Sequence, residues 1–240
     1  MNICSKSDVG IKRKTNQDAY FAGELSAVSA FAVVCDGMGG ANAGNVASET
    51  AVKIISEYVL RSYRTAMDSF EIEKMLKNAI ESANIEVYSM AQKDENLSGM
   101  GTTAVVALIQ ENTAVIAHVG DSRAYLVGDS LVQITRDHSV VQSLLESGKI
   151  SPEDAKVHPR KNVITRALGA EENVITDSCS IDFQEGQRLL LCTDGLSSFV
   201  DANEIFTVLK EKPHELVAEE LINLANNAGG SDNITVVILG

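Results

Sequence analysis

Proline is scarce: only three of the 240 residues, and no proline-, glycine- or serine-rich linker divides the chain. One domain covering 1–240 is the economical expectation. Long apolar runs are missing too. None approaches the roughly 18 residues that cross a bilayer, and the opening MNICSKSDVGIKRKT has no apolar secretory core. No membrane association is expected, and the protein is read as cytoplasmic. The four cysteines, Cys4, Cys35, Cys179 and Cys192, form no C-x-x-C pair, which excludes zinc-ribbon and thioredoxin-like readings. Cys35 and Cys192 lie in apolar runs and are expected to be buried, reduced thiols. Positive charge is short, with 20 basic against 33 acidic residues and a net charge of −13. That excludes a general nucleic-acid binder, which needs a basic footprint. It leaves open whether the acids only confer solubility or are partly clustered around cations. No repeat, P-loop, EF-hand loop or H-E-x-x-H occurs. The SDN at 231–233 lacks the S-x-x-K and K-T-G of penicillin-binding enzymes.

What is present is a set of apolar, β-branched runs. Strands are expected at 31–35, 102–109, 113–119, 123–127, 131–134, 188–192 and 234–239, with hairpin turns at 110–112 and 127–131. Helical periodicity covers 43–62, 71–92 and 214–228, the last stopped by Gly229. Shorter helices are expected from Ser151-Pro152, from Asp201 with Glu204 completing its cap, and near 139 behind Asp137 or Ser139. The elements come in runs rather than strict alternation, so the fold class is α+β. The polar stretch 137–172 reads as a mobile insertion.

Four acids stand at the edges of apolar elements beside Gly or Asn: Asp36 in AVVCDG, Asp121 in HVGDS, Asp194 in LLLCTDG and Asp232 in SDNITVV. A single Asp-Gly pair is an ordinary turn, but a turn does not need a buried strand to deliver it. If the strands leave the sheet at one end, Asp36 and Asp194 converge. Two carboxylates about 4 Å apart repel by about 4 kcal/mol at an effective dielectric of 20, a cost removed by protonation or by a cation. All-oxygen ligands select Mg, Mn or Ca, and two such ions sharing a carboxylate form a hydrolytic centre for phosphoryl transfer. Gly37, Gly39 and Gly40 would let backbone approach the metal, with the Gly37 carbonyl a candidate ligand. Arg13, in KRKTNQD, is the best candidate fork for a phosphate.

Eight ordered segments then resemble one family: DVGIKRKTNQDAY (8–20), VVCDGMGG (33–40), SGMGTTAVVALI (98–109), AHVGDSRAYL (117–126), ITRDHSVV (134–141), HPRKNVITRALG (158–169), LLLCTDGLSSFV (190–200) and GGSDNITVVIL (229–239). Across essentially the whole chain the sequence resembles a metal-dependent protein serine/threonine phosphatase of the 2C type, in its compact bacterial form. The resemblance implies a four-layer α-β-β-α sandwich of two antiparallel sheets with a flap at about 137–172. It implies two Mn2+ or Mg2+ ions between the sheets and a weaker third ion. Asp36 would bridge the two, Gly37 would lend its carbonyl, and Asp194 and Asp232 would hold the second. Asp18 would act through a water, Asp121 would share the third ion with Asp194, and Arg13 would grip the phosphate. The implied reaction is hydrolysis of phosphoserine or phosphothreonine in proteins by a metal-activated water, reversing a eukaryotic-like Ser/Thr kinase, in an enzyme expected to be monomeric.

One departure stands out. Animal members carry His after the DG, and Met38 here transfers no proton. His118 and His138 read as structural hydrogen-bonding groups, Asn233 as a residue that orients Asp232, and Arg123 as the partner of an acid. Arg160, Lys161 and Arg166 of the flap are open to an acidic substrate or to solvent alone. Two rivals stand beside this reading: a catalytically silent, cation-dependent binding module, and a dedicated antagonist of one regulatory partner.

Overall fold

The computed structural model describes residues 1–40 and 43–240. One sheet runs β1 (Ile3–Asp8), β11 (Ile234–Leu239), β10 (Arg188–Cys192), β7 (Arg123–Val127), β8 (Leu131–Gln133). The other runs β2 (Asp18–Ser26), β3 (Ser29–Met38), β5 (Ala104–Gln110), β6 (Thr113–Val119), β9 (Asp177–Asp182), with the two-residue β4 (Gly101–Thr102) paired to the end of β3. Every described pairing is antiparallel.

Side-chain alternation along the strands builds the layers. On β3, Ala30, Ala32 and Val34 meet Leu189, Leu191, Val237 and Leu239 of the other sheet in a core between the sheets. The opposite face, Phe31, Val33 and Cys35, packs under α1 (Ala43–Ser62) and α2 (Ser69–Lys93). The outer face of the first sheet, Leu190, Cys192, Val236 and Ile238, is covered by α6 (Ala202–Glu211) and α7 (His214–Asn227). The result is the α-β-β-α sandwich. Both faces of the central strands are covered, which is why they read as unbroken apolar runs although the sheets are antiparallel.

The three strands absent from the sequence expectation are β1, β2 and β9. Each lies at the edge of its sheet, and most of their residues are only half-buried. Edge strands are kept polar and so carry no apolar run to detect. The helix starts follow their caps. Asp201 caps α6 with Glu204 returning the bond, and Ser151 caps α4 (Pro152–Val157) with Pro152 in the first turn. Ser139 caps α3 (Val140–Glu146). Asp137 does not; its carboxylate takes both Nε and Nη2 of Arg123 at 2.7–3.1 Å. A full guanidinium charge is a stronger partner for that acid than a backbone amide.

The stretch 137–172 carries α3 and α4 and is tied back at both ends. Ser139 bridges Ile164, and Leu168 exchanges backbone hydrogen bonds with Thr102. Asn84 of α2 also accepts the Gly169 N–H at 2.8 Å.

Candidate metal centre and active site

The acids meet because both sheets end at the same place. Asp36 sits near the end of β3, and Asp121 follows β6 through Gly120. Asp194 opens the short α5 (Asp194–Ser197) just beyond β10, and Asp232 precedes β11. Asp36 and Asp194 thus come from strands of different sheets and converge across the interface, not along one sheet. Asp36, Asp121, Asp194 and Asp232 line one cavity of about 390 Å³ with Arg13, Gly37, Met38 and Thr103. Two flap residues, Asn162 and Ile164, form part of its wall. Arg160 and Lys161, the flap cations singled out from the sequence, do not line it.

A set of threonines fixes the acids, and sequence reasoning missed it. The Asp36 N–H donates to Thr103 Oγ1 at 2.9 Å, while its carbonyl accepts from Thr103 N and Thr102 Oγ1, each at 2.9 Å. Asp18 lies opposite Asp36 in the β2–β3 register. It does not line the cavity but is buried, with Oδ2 accepting from Thr193 at 2.9 Å and Thr235 at 2.7 Å. The available signal was threonine beside an acid or inside an apolar run, as in GTTAVV, LCTDG and NITVV.

Asn233 bonds Asp232 as expected, through its backbone, and has a second task. Its backbone N–H donates to Asp232 Oδ1 at 2.9 Å. Its side chain instead organises the loop that carries Arg13, accepting from Gln17 N and donating to the carbonyls of Val9 and Thr15, at 2.8–3.0 Å. The glycine at 37 also has a second reason. A Cβ there would lie 2.0 Å from the Gly44 carbonyl of α1, so the glycine admits close helix packing as well as exposing backbone to the cavity.

Like charge and burial act together on the acids. Burial and the facing carboxylates push Asp36 well above the usual carboxylate range. Asp18 is raised to about 7, chiefly by burial and then by Asp194 and Asp232, against the pull of its two threonines. Asp121 rises to about 7 by burial and repulsion from Asp194, and Asp194 to about 6 by burial and repulsion from Asp232. Asp18 Oδ1 is buried without a hydrogen-bond partner. A crowd of hard oxygen donors with one orphaned oxygen fits a divalent cation of the Mg or Mn kind.

Arg13 is half-exposed at the rim and lies against Asp232, with Nη2 2.8 Å and 2.9 Å from its two carboxylate oxygens. His118 and His138 are buried away from the cavity. His118 Nε2 lies 2.8 Å from the Arg136 carbonyl, and His138 Nδ1 accepts the Gly120 N–H at 3.1 Å. Each makes the kind of hydrogen bond the sequence reading gave it. Cys35 and Cys192 are fully buried and unpaired, and burial raises the Cys192 thiol to about 12. Neither is a nucleophile at neutral pH.

Comparison with known proteins identifies the family. The protein phosphatase 2C family model matches residues 11–234. The chain belongs to the protein phosphatase 2C family. Among curated members, the serine/threonine phosphatase stp of Listeria innocua is 42% identical, covering 98% of this chain and 93% of that one. Among solved structures, the serine/threonine phosphatase Stp1 from Staphylococcus aureus superposes with a TM-score of 0.91 at 36% identity, covering 98% of this chain and 93% of its own. The catalytic domain of PstP in complex with two manganese ions superposes at 0.87 with 33% identity, over 99% of this chain and 96% of that one. No helix among the described residues is long and apolar enough to cross a membrane.

Proposed function

We propose that this protein serine/threonine phosphatase hydrolyses phosphoserine and phosphothreonine in proteins at a binuclear Mn2+ or Mg2+ centre held by Asp36, Asp194 and Asp232. The observation that carries the reading is the convergence of four carboxylates in one cavity with a single arginine at its rim. Asp36 lies centrally enough to feel Asp18, Asp194, Asp121 and Asp232, which suits a shared ligand. The Gly37 carbonyl completes the set. Asp121 with Asp194 would hold a weaker third ion, and the free Oδ1 of Asp18 suits contact through water. When bound, the cations supply Lewis acidity to the phosphoryl oxygens and a nucleophile from water at neutral pH.

The chain's own residues do the rest. Arg13 swings its guanidinium from Asp232 to the phosphoryl oxygens, a two-point contact that orients the group for in-line attack. Asn162 and Ile164 close one wall against bulk water. Met38 faces the cavity and moves no proton, and both buried histidines are already engaged, so the leaving oxygen takes its proton from solvent in the cavity. The 240 residues are read as one catalytic unit with its flap. The enzyme is read as a cytoplasmic monomer that acts on phosphorylated proteins and opposes a eukaryotic-like Ser/Thr kinase.

The test is turnover of p-nitrophenyl phosphate and a phosphothreonine peptide with Mn2+, with and without chelator, beside Asp36→Ala. Mn-dependent hydrolysis lost in the variant supports the reading. No Mn-dependent hydrolysis by the unaltered protein would overturn it in favour of a silent cation-binding module.

A further inference from the structure

His118, His138 and Asp177 form a second polar cluster, with ligating atoms mutually within 4.8 Å. Its chemistry argues against a metal. His138 Nδ1 accepts the Gly120 N–H, so the neutral ring carries its proton on Nε2. That nitrogen lies 3.2 Å from Asp177 Oδ2, while Arg166 donates to Asp177 Oδ1 at 2.8 Å. A cation on Nε2 would force the other nitrogen to take a proton facing the Gly120 N–H, and would sit beside the Arg166 charge. The rings stack with centroids 4.7 Å apart, and His118 is spent on the Arg136 carbonyl.

The same bonds give His138 another use. Its ring accepts the Gly120 N–H, and its own N–H donates to the Gly120 carbonyl at 2.9 Å. Both polar groups of Gly120 are thus held by one residue. Gly120 has φ +103°, and a Cβ there would lie 2.5 Å from Thr103, so this corner has no side chain of its own to fix it. Its next residue is Asp121. Through its carbonyl, His138 also accepts the Thr165 N–H at 2.7 Å, at the root of the flap.

We propose that His138 is a positioning residue: it fixes the Asp121 carboxylate through Gly120, with Asp177 and Arg166 setting its ring, and ties that corner to the flap. The inference rests on the phosphatase reading and on the role given there to Asp121.

A double-mutant cycle tests it, using Mn-dependent hydrolysis of p-nitrophenyl phosphate by the full chain below its melting range. His138→Ala should lower kcat about tenfold, as outer partners of ligating groups commonly do. In an Asp121→Ala background the same change should cost about twofold or less, because residues acting through one another are not additive. His138→Asn, whose amide oxygen can take the Gly120 N–H, should recover most of the loss. An equal kcat loss in both backgrounds, or no loss in either, overturns the proposal, as does a His138→Asn variant as slow as His138→Ala. If the unaltered protein shows no Mn-dependent turnover, the phosphatase reading has failed, and amide exchange decides the inference. Faster exchange at the Gly120 N–H in His138→Ala than in His138→Asn sustains the coupling, and equal exchange overturns it.

Discussion

Two polar clusters lie at the same end of this sandwich, and they are built on opposite principles. Around His138 the charges are of mixed sign: Asp177 receives both Arg166 and the imidazole, and burial keeps His138 below its ordinary value. Around Asp36 the buried groups are acids, and the arginine, Arg13, lies half-exposed at the rim on Asp232. Asp36, Asp18, Asp121 and Asp194 are all raised by burial and by neighbouring carboxylates, Asp232 included, and one Asp18 oxygen has no partner. The first cluster is complete as it stands and stiffens its surroundings. In the second, the acids outnumber the arginine at its rim. Four acids that repel one another would be a pure loss of stability unless something outside the chain balances them, which is how functional sites commonly store unfavourable energy.

That contrast is best broken by neutralising one acid in each cluster. Asp36→Asn should reduce Mn-dependent turnover by at least about a hundredfold, in line with losing a principal electrostatic element of a site. The same change should raise the melting temperature of the metal-free protein, by about 2–4 °C for each kcal/mol of repulsion relieved. Asp177→Asn should do the reverse, lowering the melting temperature by a similar few degrees as it strands Arg166 and His138. Thermal melts of both variants in chelator read the two signs directly. Equal signs would erase the distinction between the clusters.

A smaller effect is expected at the rim. Arg13→Ala should raise KM for a phosphopeptide about tenfold, the loss of one charge-assisted contact, with Arg13→Lys recovering part of it. It should leave Mn2+ affinity undiminished, since Arg13 sits on Asp232 and competes with any cation there. Steady-state kinetics and calorimetry separate the two. An unchanged KM would remove Arg13 from the phosphate site.

The smallest effect is in pH. The acids' folded values lie above the unfolded value of 3.8, at about 6 for Asp194 and about 7 for Asp18 and Asp121. Folding therefore takes up protons, so this contribution is fully present below about pH 4 and lost as pH rises through about 7. The metal-free melting temperature should fall over that interval from this source, and Mn2+ binding should release protons and tighten as pH rises. Calorimetry in two buffers of different ionisation heat measures the release. Proton uptake on binding would contradict the sign.

Much of this was legible in the sequence for a physical reason. Central strands buried on both faces must be apolar throughout, so β3, β5, β6, β10 and β11 stand out, and the acids that end or precede them look misplaced. The edge strands β1, β2 and β9 meet water and carry no such signal. The resemblance supplied the sandwich and the acid roles, and the structure brings four of those acids and Arg13 into one cavity. Side-chain partners were less legible. Asp137 was read as a helix cap and pairs with Arg123; Asn233 bonds Asp232 as read, but through its backbone N–H, while its side chain holds the 9–17 loop. Such choices depend on which groups the fold brings within 3 Å, as with Thr103, Thr193 and Thr235, and no local pattern encodes that.

The most direct test of the central claim is anomalous diffraction from crystals grown with Mn2+. The account predicts two strong manganese peaks sharing Asp36, with Asp194 and Asp232 among their ligands, and no peak at His118, His138 and Asp177. A manganese bound at the histidine cluster, or an acid cluster without metal at saturating Mn2+, would contradict it.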